Sequence, residues 1–264
     1  SLTNRRSTKN GKKLETYQEV VPSLCRYSCF VNTILFMSEE MSDEREYWEN
    51  GMVKIEYHLK NGEIEGLVTY WYESGKRERE VNYKNGKQEG QETLWYESGE
   101  KKGELHFKNG KIEGLVTSWY ESGNKEGESY FKDGELEGMK TQWYESGGKE
   151  GEFYYKNGKK EGLGTQWYES NEKNTELHLE NGTPEGLEIT WCENKEMEIH
   201  YKNGKMEGLT TTWYESGKKE GELQYKKGKE DGLGTLWYES GEKKGESHFK
   251  DGKLEGMKIL WYKS

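Results

Sequence analysis

The fold of this chain is set by a stretch that runs from Trp95 to Ser118, WYESGEKKGELHFKNGKIEGLVTS. The pattern returns in residues 119–142 and 143–166. Tryptophan marks every copy, and the ten tryptophans follow one another at intervals of 22 to 24 residues. A fixed period of this size is typical of stacked supersecondary units. The tryptophans are Trp48, Trp71, Trp95, Trp119, Trp143, Trp167, Trp191, Trp213, Trp237 and Trp261.

The composition is polar but rich in aromatic residues. Only 30% of the 264 residues are hydrophobic, 34% are charged and the mean hydropathy is -1.23. These values are typical of disorder, yet disordered segments avoid aromatic residues, and this chain has 10 Trp and 19 Tyr. Its 34 glycines beside 2 prolines indicate regular turns. We therefore expect the repeat to order the aromatic rings.

Each repeat carries two turn signals. One is Asn-Gly or Asp-Gly, as at Asn85-Gly86, which suits a type I′ hairpin because both central residues need a positive φ. The other is Ser-Gly, as at Ser98-Gly99. Short runs with period-two alternation lie between the turns and leave no room for an ordinary helix. The sequence predicts an all-β fold, in which tandem 24-residue β-hairpin repeats form an elongated, twisted, single-layer antiparallel meander.

The alternation also assigns side chains to the two faces of the sheet. Leu163, Thr165 and Trp167 share one face of their strand, and Phe153 and Tyr155 form the inward pair of the strand before it. A single sheet has no second layer, so we expect Trp, Leu and Tyr to stack from repeat to repeat. The remaining apolar stripe is of the kind that marks an interaction surface.

The units resemble the variant MORN repeats, in which Trp-Tyr-Glu-Asn/Ser-Gly, then Tyr-Lys-Asn-Gly-Lys, then a strand ending in Trp follow one another. The resemblance runs from about Trp48 to Tyr262 and gives a domain of about nine repeats over residues 41–264. Many bacterial chains of this build are similar to the YwqK-type antitoxins. That similarity implies a protein partner such as a toxin, although repeat residues are structural and name no particular partner.

Some copies depart from the consensus. Between Tyr168 and Tyr201, Asn171 replaces the turn glycine, Cys192 replaces the Tyr after Trp, and the copy starting at Trp191 is two residues short. Asn tolerates the left-handed region, and a two-residue deletion keeps the facing of each strand. We expect a kink here, either as drift in one copy or as a bend that shapes a binding site.

Two other copies carry a larger side chain where the repeat has glycine. Arg79 and Thr175 occupy the position that Gly103 and Gly151 hold elsewhere. We interpret both substitutions as local turn variation.

Residues 1–40 do not match the repeat and are predicted to be a tail that is disordered or not translated natively. Their apolar part, residues 29–37, is too short for a membrane span and lacks the cleavage pattern of a secretory signal. Translation is expected to start at Met37 or Met41, and the alternative is a degenerate export or anchoring signal. The predicted location is the cytoplasm, with an exported or cell-surface protein as the alternative.

The His and Cys residues predict no metal site and no cofactor. Equivalent positions in neighbouring repeats are two strands apart, about 9.6 Å, which is too far to share an ion with bonds of about 2.1 Å. The three cysteines, Cys25, Cys29 and Cys192, form no Cys-x-x-Cys pair. The histidines share one repeat position and are His58, His106, His178, His200 and His248.

Catalysis, nucleic-acid binding and membrane binding are all disfavoured. Ser74, Ser98 and their equivalents lie beside Glu in every copy, which is typical of turns rather than of a nucleophile with its base. The net charge is -10, and Lys and Glu alternate through the turns. Phosphate backbones and anionic membranes need clustered cations instead. Membrane tethering, a role often suggested for MORN repeats, is therefore a less favoured third alternative. The sequence predicts a protein that is not an enzyme.

Two functions remain. The first is a scaffold for protein–protein interaction, antitoxin-like or immunity-like, that grips its partner through aromatic anchors. The second is a carbohydrate or cell-wall binding module, because exposed aromatic rings stack on sugars. The predicted binding residues are Trp71, Trp95, Trp119, Trp143, Trp167, Trp213 and Trp237.

The C-terminal strand predicts self-association. It lacks the hairpin partner that earlier repeats have, and an open edge invites strand addition. Lys258 and Lys263 are charges of the kind that discourage such pairing.

Overall fold

A computed structural model describes residues 40–192 and 195–262. These residues form one sheet of 23 antiparallel strands and contain no helix, which confirms the predicted fold class. The predictions for the tail and for Met37, Cys25, Cys29 and Lys263 lie outside the described residues.

The strands follow the chain as a meander, because each hairpin arm pairs with the next. The bounds are β1 Met41–Tyr47, β2 Val53–Lys60, β3 Glu63–Ile64, β4 Gly66–Trp71, β5 Arg77–Lys84, β6 Lys87–Trp95, β7 Lys101–Lys108, β8 Lys111–Ile112, β9 Gly114–Trp119, β10 Lys125–Lys132, β11 Glu135–Trp143, β12 Lys149–Lys156, β13 Lys159–Trp167, β14 Lys173–Glu180, β15 Thr183–Cys192, β16 Lys195–Lys202, β17 Lys205–Met206, β18 Gly208–Trp213, β19 Lys219–Lys226, β20 Lys229–Trp237, β21 Lys243–Lys250, β22 Lys253–Leu254 and β23 Ile259–Leu260.

The Asn-Gly turns are two-residue hairpin loops, as predicted. Asn85 and Gly86 join β5 to β6 with φ values of 50° and 69°, as a type I′ turn requires. The Gly86 N–H also donates to the Ile64 carbonyl of the preceding repeat at 3.0 Å. Each turn is therefore tied to its neighbour as well as to its own strands.

The Ser-Gly turns are closed by two backbone hydrogen bonds. In one of them the Gly99 N–H donates to the Tyr96 carbonyl, and the Tyr96 N–H donates to the Glu100 carbonyl, both at 2.9 Å. Asn171 takes the glycine position with φ 68°, and its N–H donates to the Tyr168 carbonyl at 2.9 Å. The prediction that Asn171 keeps the turn is confirmed.

A glutamate–glycine bulge links each repeat to the next. At Gly162, φ is 73°, and the register between β12 and β13 shifts between Glu152 and Tyr154. The preceding Glu161 points its carboxylate at the next turn, where Oε2 accepts the Asn181 N–H at 2.8 Å. The same contact recurs at 2.6 to 2.9 Å for the N–H groups of Asn85, Asn109, Asp133, Asn157, Asn203 and Lys227.

The core lies on the face that carries the predicted inward pair, which we call the Phe face. Val68 and Val81 are 1% and 0% exposed, and Phe107 packs with them. Phe153 is buried, and burial raises the pKa of half-buried Tyr155. The prediction of the inward pair is confirmed.

Glycine makes room for the rings on the Phe face. A Cβ atom on Gly164 would collide with the Phe153 ring, so the aromatic side chain occupies the space that the glycine of the next strand leaves open. A ring held in this way covers the sheet where no second layer exists.

The opposite face carries Leu163, Thr165, Trp167 and their equivalents, and we call it the Leu–Thr–Trp face. Its threonines are mostly buried and its tryptophans are half-buried, but Leu163 is 60% exposed. The residue opposite Leu163 in the ladder is the polar His178. The expected stacking of Leu therefore holds on the Phe face, where Leu105 packs against the core, and not at Leu163. Alternation predicts which face a side chain takes but not how far that face is covered.

The interpretation of Arg79 and Thr175 as turn variation is wrong, because Arg79 lies within β5 and Thr175 lies within β14. Arg79 is on the Phe face. Its guanidinium lies 4.0 Å from the Tyr70 ring centroid, and its Nη1 lies 3.4 Å from Oε1 of buried Glu92. Burial raises the pKa of Glu92, and the charge of Arg79 acts against that rise. Arg79 thus contacts the buried carboxylate of Glu92. In its own copy, Glu92 holds the repeat position that Gly164 holds in another.

We predict that Arg79→Gly destabilises the protein in a pH-dependent way. A folded-state pKa above the unfolded value means that stability falls as pH rises from the unfolded pKa through the folded one. Without Arg79 the Glu92 pKa rises further. The free energy of unfolding should therefore fall by about 1–3 kcal/mol at neutral pH. Urea midpoints at pH 4.5 and 7.5 measure this, and adding Glu92→Gln should flatten the dependence. An equal loss at both pH values would contradict it.

We also predict that Lys227→Asn stabilises the protein. Lys227 holds a φ of 52° at the first turn position, where a residue other than Asn, Asp or Gly is disfavoured. The gain should be about 1 kcal/mol, and Asn157→Lys should cause a loss of similar size. Thermal and urea unfolding measure both changes, with the exposed strand variant Lys229→Asn as a neutral control. A gain from Lys229→Asn equal to that from Lys227→Asn would show that the turn is not the cause.

Candidate binding surface

The predicted tryptophan row is positioned by a tyrosine that follows each tryptophan. The Tyr144 hydroxyl donates to the Trp167 carbonyl of the next repeat at 2.8 Å, across a separation of 23 residues. Trp48, which Glu49 follows, reaches the Trp71 carbonyl through its own indole Nε1 at 3.0 Å. The other donors of this tyrosine ladder are Tyr72, Tyr96, Tyr120, Tyr168, Tyr214 and Tyr238.

Burial and nearby carboxylates raise the pKa of several ladder phenols. Desolvation raises the pKa of Tyr120, and the nearby carboxylates of Glu126 and Glu150 raise it further. The same two causes act on Tyr72, Tyr96 and Tyr144. A phenol must keep its proton to donate, so the surroundings favour the ladder.

Sequence reasoning missed the ladder. The available signal was the Tyr that directly follows Trp in most copies. Alternation would assign that Tyr to the opposite face, and the pattern alone does not indicate a carbonyl one repeat away.

Most of the tryptophan rings already hold a cation. Lys149 Nζ lies 5.7 Å from the Trp167 ring centroid and 2.6 Å from Glu152 Oε1. We call this arrangement the Lys–Glu cap. It recurs with ring distances of 5.4 to 6.0 Å over Trp119, Trp143, Trp191, Trp237 and Trp261. Among the predicted anchors, Trp119, Trp143, Trp167 and Trp237 therefore have one ring face engaged. The role of the whole row in binding stays a prediction.

An exposed apolar row runs beside the tryptophans on the same face, and we call it the leucine row. Its members are 39 to 60% exposed, well beyond the threonines next to them. Tyr130 lies opposite Leu115 and Tyr154 opposite Met139, and both tyrosines are also exposed. The row consists of Leu67, Leu115, Met139, Leu163, Leu187, Leu209 and Leu233.

The tyrosine ladder is interrupted at Cys192, whose side chain is exposed. A depression of about 880 Å³ lies at this place, lined by Trp191, Trp213 and Tyr214 among others. Lys195 is displaced relative to the other caps, because its Nζ lies 5.7 Å from the Tyr214 ring centroid. The irregular copy thus carries a concave site beside the interruption of the ladder.

Three of the histidines each contact a different partner. His58 Nδ1 lies 2.6 Å from Asp43 Oδ1, His200 Nδ1 lies 3.0 Å from the Leu209 carbonyl, and His248 Nδ1 lies 3.3 Å from Glu255 Oε2. Among residues 40–192 and 195–262, no group of His, Cys, Asp and Glu side chains is arranged to hold a metal ion.

Six segments of the chain match the family model described as MORN repeat variant. They are residues 43–61, 64–85, 88–109, 112–133, 206–227 and 230–251. The chain belongs to the variant MORN repeat family. No curated protein matches it.

The structure extends the variant MORN repeats across the stretch between the matched segments. Tyr144 and Tyr168 continue the ladder there, and Glu137 Oε2 accepts the Asn157 N–H at 2.9 Å as in the matched copies. MORN repeats are generally modules for protein interaction or membrane binding, and the family is a non-enzymatic repeat scaffold. Among the residues that the structure describes, no helix is long and apolar enough to span a membrane.

We predict that Tyr120→Phe weakens the array by about 0.5–1.5 kcal/mol at pH 7, through loss of one ladder hydrogen bond. Above pH 10 the wild type should lose stability, because the raised phenol pKa keeps protons in the folded state that the unfolded state releases. The difference in free energy of unfolding between the wild type and Tyr120→Phe should therefore become smaller as pH rises.

Denaturant midpoints from pH 7 to 11 measure this narrowing. The matched control is Tyr130→Phe, which removes an exposed phenol on the Leu–Thr–Trp face and should change little. A gap that stays constant up to pH 11 would contradict the role given to the ladder proton.

Proposed function

We propose that this chain is a non-enzymatic scaffold that binds a protein partner across its Leu–Thr–Trp face. The observation that carries the proposal is the leucine row. Its side chains are 39 to 60% exposed in a chain of which only 30% is hydrophobic. Exposed apolar side chains that recur along one face are of the kind that marks an interaction site.

The core and the contacts between repeats are formed by residues outside the leucine row. The core residues Val68, Val81 and Phe107 lie on the opposite face, and the repeats are joined through turns, bulges and the tyrosine ladder. An apolar side chain repeated at one position without stabilising the core supports a role outside the molecule.

The Lys–Glu caps favour a protein over a sugar as the ligand. A sugar ring stacks on an open aromatic face, whereas Lys149 covers Trp167 and Lys125 covers Trp143. Anionic membranes are also disfavoured as partners, since the capping lysines are already paired with Glu and the net charge is -10.

Within this function, we propose an antitoxin-like or immunity-like role as the finer possibility. It is supported by the resemblance of the repeat pattern to the YwqK-type group. A row of apolar anchors flanked by mixed charge suits tight recognition of one protein, because the apolar centre supplies affinity and the charged rim supplies specificity.

The experiment compares partner recovery by two triple variants of the full chain. Leu115→Ser, Met139→Ser and Leu163→Ser remove the centre of the leucine row. The matched control places Lys111→Ser, Glu135→Ser and Lys159→Ser in the same three repeats, at exposed positions next to the turns. Both proteins must first match the wild-type circular dichroism spectrum.

We predict that the leucine-row variant recovers at least tenfold less of the partner from native cell lysate, while the control recovers the wild-type amount. Each buried leucine or methionine should contribute about 1.5–3 kcal/mol to binding. Quantitative mass spectrometry measures the recovery. Equal recovery by both variants, or a wild type that retains glycans and no protein, would overturn the proposal.

A further inference from the structure

In the regular copies, a Lys–Glu cap places a cation over the tryptophan ring. In one regular copy, Lys149 Nζ lies 5.7 Å from the Trp167 centroid and 2.6 Å from Glu152 Oε1. Glu152 pairs in register with Thr165, which places the carboxylate beside the ring. An ammonium over an indole, next to a carboxylate, is stabilised by both the ring quadrupole and the opposite charge.

The irregular copy has the same lysine, glutamate and tryptophan, but its lysine pairs with a different glutamate. Glu198 pairs in register with Thr211, two residues before Trp213, as in a regular cap. Lys195, however, has its Nζ at 2.8 and 3.0 Å from the two carboxylate oxygens of Glu220 in the next repeat. The same Nζ lies over Tyr214, 5.7 Å from the centroid.

The two-residue deletion accounts for this displacement. In a regular copy a register shift follows Gln166 and sets Lys173 opposite Trp167. The short copy has no shift at this point, so Lys195 lies opposite Cys192, one residue beyond the tryptophan. The lysine is thereby directed to the following repeat.

The same copy opens space next to Trp213. Cys192 stands where a ladder tyrosine would donate to the Trp213 carbonyl, and the depression of about 880 Å³ lies there. The carboxylates lining it are those of Glu172, Glu196, Glu198 and Glu215. The lining cations are Lys173 and Lys195, which pair with Glu176 and Glu220 outside the lining.

We propose that this depression binds a guanidinium or alkylammonium side chain of a protein partner, with the charge over the Trp213 ring and beside Glu198. The proposal rests on the scaffold function above and assigns one subsite to it. Charge complementarity supports this occupant, because the lining has twice as many carboxylates as cations. The regular copies support it as well, since each cap places an ammonium in the corresponding position.

The test follows the tryptophan indole N–H signals of the full ¹⁵N-labelled chain during titration with the hexapeptide acetyl-(Gly-Arg)₃-amide. Trp213→Phe assigns the Trp213 signal, and acetyl-(Gly-Ser)₃-amide and maltotriose are the uncharged probes. We predict a saturable shift of the Trp213 signal with the arginine peptide alone. Glu198→Gln should weaken the apparent affinity at least fivefold, and Glu152→Gln, in a regular cap, less than twofold.

A second variant keeps the test independent of any one carboxylate. Cys192→Tyr places a phenol at the depression and should also weaken binding at least fivefold. Shifts spread evenly over all indole signals, equal effects of Glu198→Gln and Glu152→Gln, no shift at millimolar peptide, or a Trp213 shift with maltotriose would each overturn the proposal.

The two proposals can fail separately. If the leucine-row variant loses its partner while the arginine peptide leaves Trp213 unchanged, only the cation subsite is wrong. If the peptide shifts Trp213 but the leucine-row variant keeps its partner, the scaffold function through the leucine row is wrong.

Discussion

Every repeat of this protein is held by the next one, and the hydrogen bond from the Tyr144 hydroxyl to the Trp167 carbonyl is the plainest case. A single sheet lacks a second layer, so a hairpin cannot bury its own apolar face. The tyrosine ladder ties the Ser-Gly ends of neighbouring repeats, and the carboxylate of Glu161 ties the Asn-Gly ends by accepting the Asn181 N–H. Stability in such an array is a sum of nearest-neighbour contacts.

The sequence predicted the parts of the fold that depend on local conformation. Asn85-Gly86 specified its turn because few residues accept two consecutive positive φ values. The inward facing of Phe153 followed from strand alternation, since the pleat has a period of two. These features are readable because each depends on residues adjacent in the chain.

Other features depend on what lies across the sheet, and the sequence did not predict them. Leu163 and Thr165 alternate identically, yet one is exposed and the other is not, because burial depends on the neighbouring strands. The pattern predicted that Arg79 was a turn variant, because the sequence does not indicate that buried Glu92 lies beside it on the next strand. The same holds for the candidate site. The sequence predicted the face on which Trp167 lies, but it did not predict that Lys149 from another repeat covers the ring.

The tyrosine ladder also has a consequence for how the length of the array can change. Its donor and acceptor are 23 residues apart in each regular step, so removing or duplicating one 24-residue copy rejoins a Tyr to an equivalent Trp carbonyl. Recombination between copies can therefore lengthen or shorten the protein without a new interface having to arise. The copy that begins at Trp191 cannot be exchanged in this way, and duplications on either side would change only its distance from the ends of the array.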